Sequence, residues 1–162
     1  CSYYDGNQLF QKVTSLGYIP MDDGSGNFFG RKLIRDYYFH KMPADLAHKF
    51  AKQHDLDADV IKENLYKQPN PNTYLATFAR FLIENKDHPY SKGVIDKGFQ
   101  QFINNYVMQF ELATKVPINF VGSIAHYLRD ELTSVLLRND LIVGVIRQRP
   151  IEGLVEFHQA NM

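Results

Sequence analysis

The chain has 162 residues, 18 basic and 18 acidic, with a formal net charge of zero and no Trp. That length fits one domain with a real hydrophobic core, and the charge balance supplies no global basic field to draw nucleic acid or an anionic membrane surface. No apolar run approaches the length of a transmembrane helix, the polar start CSYYDGNQ lacks a signal-peptide core, and the single Cys, at position 1, excludes an internal disulfide framework or a cysteine zinc site. A cytoplasmic protein is the expectation. The chain opens on Cys1 inside what reads as a strand, so a piece of a longer protein is expected too.

In chain order, Ser2–Tyr4 and Gln8–Val13 flank Asp5-Gly6-Asn7, a hairpin signal because Asp-Gly supplies the positive backbone dihedrals of a tight turn. The segment Leu16–Arg31, LGYIPMDDGSGNFFGR, runs from a glycine turn through two carboxylates to a helix start. The helix begins at Ser25 or Asn27 and reaches about His40, with Phe28, Phe29, Leu33, Ile34 and Tyr37 at helical spacing. Pro43 opens a second helix, Ala44–Gln53, with Leu46, Ala47 and Phe50 on one face. Asp57 caps a third, Ala58–Tyr66, with Val60, Ile61 and Leu65 inward. Lys67-Gln68-Pro69-Asn70-Pro71 is a stiff break. Thr73–Asn85 and then Ser91–Leu112 read as two more helices, the latter the longest. The region from about 25 to 112 is thus a helical block.

The last fifty residues change character. Pro117–Val121 is a short apolar strand bounded by Gly122. Ser123 caps an amphipathic helix to about Arg138, in which Asp130 and Glu131 lie too late to cap anything. Asn139-Asp140 turns the chain into a second apolar strand, Leu141–Ile146, and Pro150 starts a final helix, Ile151–Gln159. Two strands apolar throughout and joined by a helix imply a parallel sheet covered on both faces.

Two loops carry chemistry. Asp22 and Asp23 in a glycine-bounded turn either cap the following helix and complement its dipole or accept hydrogen bonds from hydroxyl or amine groups of a ligand. Phosphate would be repelled there. At Val121-Gly122-Ser123 a glycine stands between the carboxyl end of a strand and a helix start, where open α/β sheets collect ligands, although many such turns hold none. The six histidines have no metal-binding spacing. No G-x-S-x-G, G-x-x-x-x-G-K-[ST] or G-x-G-x-x-G occurs, and the Lys and Arg residues form no aromatic-interleaved array for nucleic acid.

The order of hairpin, Gly17-Tyr18-Ile19-Pro20-Met21-Asp22-Asp23-Gly24-Ser25-Gly26, helical insertion and strand-Gly122-Ser123-helix-strand resembles the C-terminal domain of the BadF/BadG/BcrA/BcrD ATPase family, in its N-acetylglucosamine kinase and glucosamine kinase branch. The family segment reads roughly Gly-Trp/Tyr-x-x-Gly-Asp-Glu-Gly-Ser-Gly; here Met21 stands for a glycine and Asp23 for a glutamate. The resemblance implies an α/β, ribonuclease-H-like lobe of the actin/Hsp70/hexokinase-like ATPases, with a large helical insertion and truncated at its N-terminal strand. It implies one C-terminal kinase lobe over residues 1–162, with an N-terminal lobe, the catalytic aspartate and the main phosphate loop all lying outside it. Asp22, Gly17 and Tyr18 would then contact an amino sugar, and Gly122 and Ser123 the adenosine of ATP brought with Mg2+. This chain would hold no catalytic residue and no metal ligand. No nucleic acid or membrane partner is expected, and a homodimer is left open. The alternatives are another enzyme of the same family, such as an ATPase activator of a radical dehydratase, whose cluster cysteines are missing here, and a non-enzymatic helical interaction module.

Overall fold

The computed structural model describes residues 1–160. They fold into two compact units, one of residues 15–101 and one formed by Cys1–Thr14 with the chain from Phe102 onward.

The first unit is helical. It contains α1 (Gly26–Tyr38), α2 (Ala44–Gln53), α3 (Ala58–Tyr66), α4 (Pro71–Thr77), α5 (Ala79–Glu84) and most of α6 (Pro89–Asn105). Its apolar positions fall at helical spacing, so each helix presents one apolar stripe, and the stripes meet. Phe29, Leu33, Leu46, Phe50, Phe81, Leu82 and Ile95 are almost wholly buried. Phe50 lies 4.9 Å from Phe81 and 5.8 Å from Phe78, while Phe29 meets Phe99 edge-on at 5.8 Å. The helix starts follow the expected capping chemistry. The Ser25 side chain accepts from the Phe28 N–H, and Asp57 accepts from the N–H groups of Asp59 and Val60.

Glycine sets the closest helix contact. A Cβ on Gly30 would stand 1.7 Å from the Leu75 carbonyl oxygen, and one on Gly26 would stand 3.1 Å from the Ala76 Cβ. Small residues one turn apart on α1 therefore let the α4 backbone approach directly. Three sequence expectations are corrected in this unit. The helix expected over Thr73–Asn85 breaks at Phe78, whose N–H turns back to the Leu75 carbonyl in a tighter i to i+3 bond. The one expected over Ser91–Leu112 stops at Asn105, because Tyr106 leaves helical dihedrals (φ −121, ψ −50), and only a 3-10 turn at Val107–Gln109 follows. Val60 is exposed rather than inward, since Ile61 takes the buried stripe of α3.

The second unit begins with a hairpin, β1 (Tyr3–Tyr4) antiparallel to β2 (Leu9–Phe10). It is shorter than the Ser2–Tyr4 and Gln8–Val13 pairing read from the sequence. Gly6 turns at φ +103, and the Asp5 carboxylate accepts from the N–H groups of Asn7 and Gln8, which holds that carboxyl below its ordinary range.

Further on, β3 (Pro117–Val121) pairs in parallel with β4 (Ile142–Arg147). The crossover consists of α7 (Ser123–Tyr127) and α8 (Arg129–Arg138), and α9 (Pro150–Ala160) follows. Leu128, Leu132, Val135, Leu136 and Leu141 are buried. The register slips between Ile118 and Phe120, where the Asn119 side chain accepts from the Val145 N–H and packs on Gly144. The strands are not covered on both faces as the apolar runs implied. The sheet has two strands among the described residues, and Val121, Ile142 and Val145 are half exposed. No described helix is long and apolar enough to cross a membrane.

Candidate functional site

The loop ahead of α1 is built around one strained residue. Asp22 has φ +92, a region that residues with a Cβ rarely enter. Met21, which stands where the resembling family has glycine, is not among the residues with positive φ. The positive φ falls on Asp22, a residue type that tolerates it better than most.

Neighbouring side chains hold the loop in place. Asp22 Oδ2 accepts from Ser25 Oγ at 2.7 Å and from Asn27 Nδ2 at 3.2 Å. The same Asn27 amide donates to the Tyr18 carbonyl at 3.2 Å. Arg31 Nη1 reaches back to the Ile19 carbonyl at 2.9 Å, and the Met21 N–H closes a turn on Gly17 O at 3.2 Å. The neighbouring Asp23 accepts from Gln101 Nε2 at 2.8 Å.

Each candidate residue here has a definite place. Gly17 turns at φ +88 and is exposed, with nothing near its α-carbon on the Cβ side. Tyr18 is half-buried and anchored through its carbonyl. Asp22 is half-buried with one carboxylate oxygen engaged by Ser25 and Asn27. The capping reading of the carboxylate pair is corrected. Ser25, not Asp22, accepts the helix-capping bond from Phe28 N–H, and Asp22 braces Ser25.

Sequence reasoning missed Asn27 and Arg31. Asn27 is 4% exposed, and its Oδ1 is buried without a hydrogen-bond partner. A buried polar group of that kind calls for an explanation. The available signal was a short polar residue inside the first turn of an otherwise apolar face, five residues after Asp22.

The second loop lies in the other unit and is described by itself. Gly122 precedes α7 with φ +140 and ψ +160, and its N–H donates to the Arg147 carbonyl at 2.9 Å, tying the end of β3 to the end of β4. Open space surrounds the position a Cβ would take.

Ser123 is exposed and is the first residue of α7 rather than its cap, and its side chain makes no capping bond. The expected helix to Arg138 is interrupted at Leu128 (φ −110, ψ +34), so α7 has 5 residues and a correspondingly small end charge. That break also places Asp130 and Glu131 in the first turn of α8, where their charge complements the helix end, contrary to the sequence reading. No group of three or more His, Cys, Asp or Glu among the described residues could hold a metal ion. His54 is packed against Phe50 and Phe78 at 4.8 and 4.7 Å, and burial holds its pKa below the ordinary value.

No protein-family model matches the sequence, and no curated protein does. Among solved structures the chain is similar to the crystal structure of a Porphyromonas gingivalis protein provisionally named N-acetylglucosamine kinase, with a TM-score of 0.90 and 33% identity. The fold is kinase-like. The match covers 98% of this chain and 56% of the other, so this chain spans little more than half the length of that protein.

Proposed function

We propose that this chain is the C-terminal lobe of an ATP-dependent amino-sugar kinase and that the loop Gly17–Gly26 contacts the sugar. The observation that carries the reading is Asp22: a carboxylate fixed at φ +92 by Ser25 and Asn27, in a chain similar over 98% of its length to a protein named for N-acetylglucosamine phosphorylation. Strain held by surrounding bonds is a common property of ligand-binding loops, because it keeps the acceptor in place before the ligand arrives. Held there by Ser25 and Asn27, the Asp22 carboxylate would accept hydrogen bonds from sugar hydroxyls. Gly17 leaves open space beside the loop, and the Tyr18 carbonyl is tied to the Asn27 amide.

The lobe would be ribonuclease-H-like, of the BadF/BadG/BcrA/BcrD type, with the helical unit as its insertion. A second lobe would supply the base and the main phosphate loop. The open turn at Gly122 and Ser123 would lie beside the adenosine. The described residues offer no cluster for Mg2+, so no step is assigned to a metal held by this chain. The chemistry assigned to this lobe is positioning: it orients the sugar so that a hydroxyl faces the phosphate donor, and orientation of this kind supplies a large share of phosphoryl-transfer catalysis.

Two experiments test the reading. The isolated chain should release no ADP in a coupled assay with N-acetylglucosamine or glucosamine and ATP, and turnover by it would contradict the division of labour. In the full-length gene product, Asp22→Asn should raise the sugar KM and leave the ATP KM unchanged.

A further inference from the structure

The helical unit holds a concave feature beside the loop ahead of α1, with Arg31 and Gln101, which bond to that loop, in its lining. Between α1 and α6 lies a groove of about 770 Å3, within the range of small-molecule sites. Five cations line it: Arg31, Lys32, Arg35, Lys41 and Lys97. Asp36 is the sole carboxylate in the lining. It is 4% exposed and already committed, accepting from Lys32 Nζ at 2.6 Å and from the Tyr90 hydroxyl at 2.7 Å.

Lys32 is therefore neutralised and the other four cations are not. Among the described residues none of them has a carboxylate within ion-pair distance. Arg31 donates to a neutral carbonyl, while Arg35 and Lys41 sit 5.4 and 5.8 Å from the Phe39 ring centre. Arg31 and Arg35 occupy i, i+4 positions on α1, a spacing at which like charges oppose the helix. In a chain with no net charge, this is a local concentration of positive charge in a concave surface.

Gly93 and Val94 add uncharged surface to the lining. Gly93 is exposed and a Cβ on it would meet nothing within 4 Å, and the buried Val94 lies beside it. We infer that this groove binds a small phosphomonoester, its phosphate held by Lys97, Lys41 and the two arginines and its neutral body lying over Gly93 and Val94. A phosphate dianion answers uncompensated Arg and Lys better than a single carboxylate, and arginine in particular matches its geometry.

The test is isothermal titration of the full chain, at low and at physiological salt, with three probes: glucose 6-phosphate, inorganic phosphate and an acidic decapeptide. Two variants accompany the wild type. Lys97→Glu combined with Lys41→Glu reverses two exposed, unpaired charges. Gly93→Leu fills open space at a helical position where leucine is the better helix former. The expected result is saturable binding of glucose 6-phosphate, weaker for inorganic phosphate, weakened by salt, and reduced about tenfold or more in each variant, both of which melt at or near the wild-type temperature. Absence of saturable binding, equal affinity in the variants, inorganic phosphate binding as tightly as the sugar phosphate, or tighter binding of the peptide would each overturn the inference.

Discussion

Replacing Gly30 with Ala separates a structural role for the α1 glycines from a merely permissive one. In an exposed helix interior Gly→Ala stabilises by about 1 kcal/mol, because Ala loses less backbone freedom on folding. At Gly30 the new methyl would stand 1.7 Å from the Leu75 carbonyl oxygen and 2.7 Å from its carbon, against a floor of 3.0 Å in real proteins. Backbone cannot rotate away as a side-chain tip can, so α4 must retreat by more than an ångström. A gap of that size forfeits about half or more of each van der Waals contact across the seam. Overpacking typically costs about 1–3 kcal/mol and occasionally more, and the upper end applies where backbone meets backbone. After the helix-propensity gain, the net loss should be about 2 kcal/mol or more. In urea titration that lowers the midpoint by about 1 M, with the slope unchanged. Gly93→Ala is the internal control, since nothing lies within 4 Å of its added methyl; its midpoint should rise. Because Ser25, Asn27 and Arg31 hold the Asp22 loop, the proposed function predicts that Gly30→Ala also raises the sugar KM of the full-length gene product. A Gly30→Ala chain as stable as wild type would refute the close-approach reading.

Three further outcomes follow from the same structure. Tyr90→Phe removes a hydrogen bond to the buried Asp36 carboxylate and should cost about 1.5–3 kcal/mol in urea titration. Burial, then the bond to Asp36, raises the Tyr90 pKa above its ordinary value of 10.0. The unfolded chain therefore releases that proton first, wild-type stability falls as pH rises past 10, and the variant should lose this part of the alkaline decline. His54 shows the opposite sign: its pKa is lowered, so the unfolded chain takes up the proton first and stability falls as pH drops through about 6.5. Melts of His54→Phe should show a shallower acid limb there, and an unchanged limb would remove His54 from the account. Gly122→Val forces a branched residue to φ +140 and should cost about 1–3 kcal/mol by thermal melting, so any accompanying change in ATP affinity must be read from Ser123 variants instead.

Much of this fold is legible in the sequence because local chemistry and apolar periodicity agree. Ser25 and Asp57 cap the helices they were expected to start, Pro43 and Pro150 stand at helix beginnings, and the parallel pairing of β3 with β4 follows from two apolar runs around a helix. What was not legible depends on tertiary contact. Nothing in the pattern of residues 73–85 announces the turn at Phe78, and the apolar stripe runs straight through Leu128. The apolar β strands suggested burial that the two-stranded sheet does not provide. In the candidate sugar loop the carboxylates were visible, because adjacent Asp residues between glycines are unusual. Asn27 and Arg31 were not, since their bonds run to backbone carbonyls 9 and 12 residues away.

The central claim is that Asp22 holds an amino sugar for phosphoryl transfer. Its most direct measurement is steady-state kinetics of the full-length gene product and its Asp22→Asn variant, with N-acetylglucosamine and ATP varied separately. Asparagine tolerates positive φ, so the loop should keep its shape while losing its charge. A carboxylate accepting sugar hydroxyls contributes about 1.5–3 kcal/mol, so the account predicts a sugar KM raised roughly tenfold or more with the ATP KM unchanged. An unchanged sugar KM, or a full-length protein that phosphorylates no amino sugar, would contradict it.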